Sequence, residues 1–176
     1  RLSLVGSEMC IRDRLKDYAE RHPGGAIGRA LLLKVKDIMR TNERFATILS
    51  GKSVKEAILS ITAAKSGSVA VINSEGILEG ILTDGDLRRH LVESPNLMEL
   101  SINDIMQKSP ITLDPDMLAA DVLKLYEQNN IDDLIVVNKN GIAIGSVDIQ
   151  DMPKLKILYK NPPMAGFTPQ RKFLFT

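Results

Sequence analysis

The chain has 176 residues, 44% of them apolar and 26% charged, which suits one soluble domain or two small modules packed together. Because 23 Lys and Arg are balanced by 22 Asp and Glu spread along the chain, no nucleic-acid-binding face is expected. Charged residues and glycines break every apolar run before it reaches the roughly 18 residues of a membrane span, so we expect no membrane segment. The single cysteine, Cys10, cannot form an internal disulfide, and no Cys/His cluster has the spacing of metal ligands. We therefore expect a cytoplasmic protein without a metal site.

The first segment, residues 1–14, reads RLSLVGSEMCIRDR. Glu8, Arg12 and Asp13 interrupt the apolar stretch that a signal peptide needs, so we do not interpret it as one. The segment resembles a translation of sequencing-adapter DNA, and we therefore expect it to be non-native and the natural protein to begin further upstream. Residues 15–34 follow as a predicted helical linker, and His22 in its Pro/Gly loop reads, from composition alone, as an exposed side chain.

Two similar units make up most of the remaining chain. VKDIM at residues 35–39 returns as INDIM at 102–106, and residues 68–87 return as residues 133–152, with Asp86 and Asp151 separated by 151 − 86 = 65 residues. We place the first unit at residues 35–99 and the second at 100–157. The tail, 158–176, is expected to be disordered or a read-through end, with a partner-binding segment as the less favoured reading.

Each unit predicts the order strand, helix, strand, strand, helix. In the first unit, Ser53 and Glu56 fit a capping box, and residues 54, 57, 58 and 61 form one apolar helix face. In the second unit, Asp116 is the expected helix cap, followed by a stripe at Leu118, Val122 and Leu125. We interpret both stripes as core packing.

Tight hairpins are predicted where Asn73 to Gly76 and Asn138 to Gly141 separate apolar strands, because the closing glycine can adopt a positive φ. One such unit would expose an apolar sheet face, so two in tandem are expected to bury it. The fold class is therefore α+β, with two β-α-β-β-α units.

The sequence GILTDGDLRRHL, residues 80–91, admits two readings. Thr83 and Asp86 are spaced as a helix cap, which needs no ligand. The same geometry offers backbone N–H groups and the Thr83 hydroxyl to a phosphate, while Asp86 suits a ribose diol. In the second unit Asp148 replaces the threonine, and two carboxylates disfavour phosphate, so that cleft is expected to be empty or to take another ligand.

Arg88 and Arg89 could add positive charge, although neighbouring helix positions cannot both face one ligand. His90 is interpreted as a solvated helix residue without chemistry.

These motifs resemble the tandem CBS domain, or Bateman module. The DIM openings and the G-x-x-T-x-x-D close at Gly80, Thr83 and Asp86 carry the resemblance. The wider pattern, HPGGAIGRALLLKVKDIM at residues 22–39 followed by GILTDGDLRRHL, is similar to the C-terminal half of the arabinose-5-phosphate isomerase (KpsF/GutQ) family over about residues 17–154. The resemblance implies a tandem CBS pair preceded by the end of a sugar-isomerase (SIS) domain that is missing here.

The family's activity would be the interconversion of ribulose 5-phosphate and arabinose 5-phosphate, which feeds Kdo and lipopolysaccharide synthesis. The resemblance assigns His22 a catalytic role only within a full-length homo-oligomer, so we expect no isomerase activity from this chain alone. It makes Gly80, Thr83 and Asp86 candidates for an adenine or cytidine nucleotide, with no cofactor required. The alternatives are a ligand-free dimerisation module and a free-standing CBS regulator of another partner.

Overall fold

A computed structural model describes residues 33–129 and 131–151. The described residues form five α-helices, α1 Val35–Ile38, α2 Val54–Ala64, α3 Asp84–Glu93, α4 Ile102–Ile105 and α5 Ala119–Asn129. The strands are β1 Thr47–Leu49, β2 Ser68–Ile72, β3 Leu78–Thr83, β4 Gln107–Lys108, β5 Thr112–Leu113, β6 Asp133–Val137 and β7 Ala143–Asp148, and short 3-10 turns cover Asn42–Arg44, Leu97–Glu99 and Ile149–Asp151. Within the described ranges, no helix has both the length and the apolar character to cross a membrane.

The strands form two sheets that repeat one plan. The first has the order β1-β2-β3-β4 and the second β5-β6-β7. In each, the first strand pairs in parallel with the second, and the second pairs antiparallel with the third. A parallel pair requires a long crossover, and α2 and α5 supply it. The α+β prediction is confirmed.

Helix α2 forms as its sequence predicts. The Ser53 side chain accepts a hydrogen bond from the Glu56 amide, at 3.3 Å, and the Glu56 carboxylate accepts one from the Ser53 amide, at 3.0 Å. Val54, Ala57 and Ile61 are buried against the first sheet. The local cap and the apolar face are therefore consistent with each other.

Helix α5 differs from its prediction at its start. It begins at Ala119, and Asp116 instead accepts hydrogen bonds from Lys34 and Lys36, at 3.0 and 2.9 Å. These lysines hold the pKa of Asp116 down at about 2. The predicted cap was wrong because its partners lie about eighty residues away along the chain. The predicted core face is confirmed at Val122, which is fully buried, and Leu125 packs against the same core, whereas Leu118 is not part of it. The other buried residues of this face are Ala119, Leu123 and Tyr126.

Both predicted hairpin turns are present. Gly76 and Gly141 have φ angles of 81° and 77°, a region that only glycine adopts without strain. The Asn73 side-chain oxygen accepts from the amides of residues 75 and 77, and Asn138 makes the same pair of bonds in the second unit. The asparagine and glycine of each turn thus fix the two strands in register.

The two DIM segments are exchanged between the sheets. Val35 of α1 is fully buried in the core beneath the second sheet, whereas Ile102 and Ile105 of α4 lie in the core of the first. Arg40 exchanges backbone hydrogen bonds with Ser146 of β7, at 2.8 and 3.1 Å. Each core is therefore completed by a segment that belongs to the other copy of the sequence repeat.

Glycines in β3 and β7 make room for the exchanged segments. A Cβ on Gly80 would lie 2.7 Å from the Met106 sulfur and 2.9 Å from the Gln107 carbonyl oxygen. A Cβ on Gly145 would lie 2.6 Å from the Arg40 carbonyl oxygen. Neither contact is sterically tolerable, so each glycine permits the incoming backbone to pair with its strand.

The sheets also pack directly against each other. Ala70, Ile81 and Ile135 form a buried cluster between them. At the hairpin tips, the Leu78 amide donates to the Gly141 carbonyl and the Ala143 amide to the Gly76 carbonyl, both at 3.0 Å. The prediction that two units bury each other's apolar sheet faces is confirmed.

Candidate functional site

One cleft of about 410 Å³ lies between the two units. Its first wall is the turn from β3 into α3, and its second wall is the start of β6 with Gln150 after β7. Its lining residues include Gly67, Thr83, Asp84, Gly85, Asp86, Arg88, Arg89, Gln107, Pro110, Ile111, Asp132, Asp133 and Gln150. Because both units contribute lining residues, a molecule in this cleft would contact both units at their interface.

Thr83 and Asp86 lie together in this cleft, as the motif predicted. The Asp86 amide donates to the Thr83 hydroxyl oxygen at 3.2 Å, and the Thr83 amide donates to the Asp86 carboxylate at 3.0 Å. The Thr83 hydroxyl also donates to that carboxylate, at 2.7 Å. The pair is a complete capping box, so the structural explanation of the motif is satisfied without any ligand.

Both arginines after the motif are engaged near the helix start. The Arg89 guanidinium pairs with the free oxygen of Asp86, and its side chain is 70% exposed. Arg88 donates from Nε to the Asp84 carbonyl oxygen at 3.1 Å. A ligand hydroxyl that binds Asp86 would therefore compete with Arg89 for one carboxylate oxygen.

The first turn of α3 presents the Gly85 amide to the cleft. The Asp84 amide donates to the Gly67 carbonyl at 2.9 Å, and the Asp86 amide is used by Thr83. Gly85 lies in the first turn of α3, where backbone amides have no intrahelical acceptor, and it lines the cleft without a side chain that would obstruct that amide. A free N–H at a helix start attracts an oxygen acceptor.

Asp133 is a cleft residue that the sequence reading missed. It opens β6, and its Oδ1 is buried without a hydrogen-bond partner in the described structure. Burial, followed by the nearby Asp148 carboxylate, raises the pKa of Asp133 to about 6. The available signal was the repeat itself, which aligns Asp133 with Ser68 and so marks an acid where the first copy has a small neutral residue.

The corresponding turn of the second unit holds an internal cation. Arg40 donates from Nη2 to Asp148 at 3.0 Å and from Nε to Asp151, and its side chain is only 9% exposed. These bonds lower the pKa of Asp151. The sequence-based argument about two carboxylates and a phosphate did not include this arginine, which offsets one of the two negative charges. The expectation that this cleft is empty or takes another ligand stays a prediction. The repeat offered a signal here too, because Arg40 aligns with Gln107.

The remaining candidate residues lie elsewhere. Gly80 is not among the residues that line the cleft, and it faces the exchanged segment instead. His90 is half-buried on α3, with Nδ1 3.8 Å from a Glu93 oxygen. His22 lies outside the described residues, so its role stays a prediction. Within residues 33–129 and 131–151, no group of three or more His, Cys, Asp or Glu side chains is arranged to hold a metal ion.

Comparison with known proteins identifies the fold that carries this cleft. A family model of the CBS domain matches residues 35–93 and 102–154. The chain belongs to the CBS-domain family. Among solved structures, the CBS domain pair of protein MJ0100, in complex with 5′-methylthioadenosine and S-adenosyl-L-methionine, has a TM-score of 0.63 and 25% identity, over 71% of this chain and 96% of that one. The predicted tandem CBS pair is confirmed.

Curated relatives add the second part of the resemblance. Arabinose 5-phosphate isomerase KdsD of Pseudomonas aeruginosa is 36% identical over 143 residues, which is 81% of this chain and 44% of the relative. KdsD of Yersinia pestis is 37% identical over 78% of this chain and 42% of its own length. The CBS pair described here is thus related to KdsD, and the chain spans less than half the length of these relatives.

Proposed function

We propose that this chain is the regulatory CBS pair of an arabinose-5-phosphate isomerase-like protein, and that the cleft beside Thr83 and Asp86 senses a nucleotide or nucleoside. The isomerase would interconvert ribulose 5-phosphate and arabinose 5-phosphate for Kdo and lipopolysaccharide synthesis. In that oligomer His22 would act at the active site formed by the SIS domain. This chain by itself is expected to have no isomerase activity.

The observation that carries the sensing role is the position of the cleft. It is lined by α3 of the first unit and by β6 of the second, so a ligand that prefers one packing of the units shifts their equilibrium. The segment that enters the pair, residues 34–40, is anchored on the second unit through Val35 and Arg40. A change in unit packing would therefore move this segment, to which the SIS domain of the parent protein would be attached.

Calorimetric titration of the purified chain tests the binding step. The panel contains AMP, ADP, ATP, a CMP-linked sugar, adenosine and S-adenosylmethionine, the last because the MJ0100 pair binds it. We expect saturable heat from at least one adenine or cytidine compound. Absence of heat from the whole panel at millimolar concentration, with an intact circular dichroism spectrum, would reject the sensor.

A second candidate function is a structural module that organises an oligomer without binding a ligand. The complete capping box favours it, because Thr83 and Asp86 already satisfy each other. Two variants separate the candidates. Thr83→Ala should lower the free energy of unfolding by about 1 kcal/mol, and Ser53→Ala is the matched control that removes an equivalent cap outside the cleft.

Under the sensing proposal, Thr83→Ala weakens ligand binding in the calorimeter whereas Ser53→Ala does not. Under the structural proposal, both variants lose the same free energy of unfolding, and neither they nor the unmodified chain bind a ligand. A free-standing regulator of another protein is a third reading, and recovery of the upstream reading frame would decide it.

A further inference from the structure

We propose that Asp133 makes the cleft select nucleosides whose 5′ substituent is neutral or cationic over those that carry a 5′-phosphate. The inference rests on the proposed function, because it concerns the same cleft and refines the class of its ligand. It assigns a specificity role to a residue outside the G-x-x-T-x-x-D motif.

The position of Asp133 places a carboxylate beside the start of α3. The Gly67 carbonyl accepts the Asp84 amide at 2.9 Å, so Gly67 lies against the first turn of the helix. A Cβ on Gly67 would lie 2.9 Å from Asp133 Oδ2. Asp133 therefore faces the end of the cleft where the Gly85 amide would attract the oxygens of a phosphate.

The charge of Asp133 is not neutralised by its surroundings. Its Oδ1 is buried and has no hydrogen-bond partner within the described residues. Arg40 is the cation that interacts electrostatically with Asp133, but its guanidinium is already paired with Asp148 and Asp151. A phosphate beside a desolvated, uncompensated carboxylate is repelled, because fields are weakly screened in a buried site.

The other charged side chains of the cleft do not reverse this effect. Its lining includes four carboxylates, Asp84, Asp86, Asp132 and Asp133, against the guanidinium groups of Arg88 and Arg89. Arg89 pairs with Asp86, and Arg88 is bonded to a backbone carbonyl. The cleft thus has an excess of negative charge.

A donor would satisfy what the cleft lacks. The Asp133 carboxylate lines the cleft and can accept a hydrogen bond from a hydroxyl or an ammonium group of a ligand. The ribose diol can still approach Asp86, and an acceptor atom can still use the Gly85 amide. A nucleoside with a hydroxyl or amine at its 5′ carbon therefore complements the cleft better than a nucleotide does.

The test uses three ligands that differ only at the 5′ carbon: adenosine, 5′-amino-5′-deoxyadenosine and AMP. Each is titrated into the full chain and into Asp133→Asn, which keeps the shape of the side chain and removes its charge. Glu75→Gln is the control, because it removes one negative charge in the exposed turn that joins β2 and β3. Asp133→Ser, which copies Ser68 of the first unit, replaces the Asn variant if that variant does not fold.

For the unmodified chain we expect the amine to bind best and AMP to bind about tenfold more weakly than adenosine. Asp133→Asn should strengthen AMP binding about tenfold, weaken the amine, and leave adenosine within about threefold. Glu75→Gln should change none of the three.

Two results would overturn the inference in different ways. If AMP binds the unmodified chain as tightly as adenosine, or if Asp133→Asn leaves their ratio unchanged, Asp133 does not select against phosphate, and the sensing role stands. If none of the three ligands binds any of the folded variants, and the other compounds of the calorimetric panel also give no heat, the cleft is not a nucleoside site and both proposals are rejected.

Discussion

At the scale of single residues, Arg40 is the side chain on which the second unit depends most. It is 9% exposed and joins Asp148 to Asp151, so its loss leaves the partly buried Asp148 without its ion-pair partner and Asp151 with only the exposed Arg44. We expect Arg40→Gln, which copies Gln107 of the first unit, to lower the free energy of unfolding by about 3 kcal/mol. Urea denaturation followed by circular dichroism measures the change.

Arg44 provides the control for this prediction. It lies 3.8 Å from the same Asp151 carboxylate, but its side chain is 69% exposed. Exposed ion pairs contribute little, so Arg44→Gln should cost less than about 0.5 kcal/mol. Equal losses in the two variants would contradict a special role for burial.

Asp133 gives a prediction with a defined dependence on pH. Its pKa is raised from 3.8 to about 6, so the folded chain binds this proton more tightly than the unfolded chain does. Stability is therefore greatest while the carboxyl is protonated and falls as the pH rises from about 4 to about 6. The charges of Asp148, Asp132 and Asp84 disfavour the ionised form of the Asp133 carboxyl, whereas the charge of Arg40 favours it.

We expect Asp133→Asn to be more stable than the unmodified chain by about 2 kcal/mol at pH 8, after allowance for its partial exposure. This advantage should disappear near pH 4, where the native carboxyl is neutral as well. Denaturation at the two pH values measures the difference. A constant difference would show that Asp133 titrates normally in the folded chain.

At the scale of elements, the exchanged DIM segments predict which unit loses stability when one of their residues is substituted. Ile102 is completely buried in the core of the first unit, although it lies in the second copy of the repeat, and Val35 shows the reverse arrangement. Ile102→Ala should destabilise by about 3 kcal/mol and Val35→Ala by about 2 kcal/mol. Hydrogen exchange with mass spectrometry can locate each loss.

We expect Ile102→Ala to speed amide exchange in α2 and β2, and Val35→Ala to speed it in α5 and β6. The two variants act as controls for each other, since each removes apolar atoms from a four-residue helix at an equivalent place. If amide hydrogen exchange instead became faster in the copy of the repeat that carries the mutation, α1 and α4 would not belong to the cores of the opposite units.

The elements also show what the sequence could and could not reveal. The cap of α2, the turns at Gly76 and Gly141, and the geometry of Thr83 with Asp86 depend on residues within about four positions, so local rules predict them. The partners of Asp116, Arg40 and Ile102 are distant in the chain, and no local pattern identifies them. The repeat did mark Arg40 and Asp133, but as departures from Gln107 and Ser68 rather than as contacts.

At the scale of the whole molecule, the exchanged segments and the shared sheet interface make the two units one structure. The interface cluster contains Ala70, Ile81 and Ile135, and backbone hydrogen bonds join Gly76 and Gly141 at the hairpin tips to the opposite unit. Neither unit keeps a complete core if the other unfolds. We therefore expect a single cooperative transition in urea, with the same midpoint for the amides of both units by pulsed hydrogen exchange.

Two neighbouring residues of β6 test this coupling. Ile135 is 1% exposed and faces the interface between the sheets, whereas Val136 is fully buried in the core of the second unit alone. Each substitution by alanine removes buried apolar atoms and should cost about 2–4 kcal/mol. Val136→Ala should lower one shared midpoint, because the units remain coupled. Ile135→Ala should separate the midpoints of the two units, since it weakens the contact that makes them unfold together. Separate midpoints already present in the unmodified chain would show that the units are independent, and a ligand in their common cleft would then have no shared packing to change.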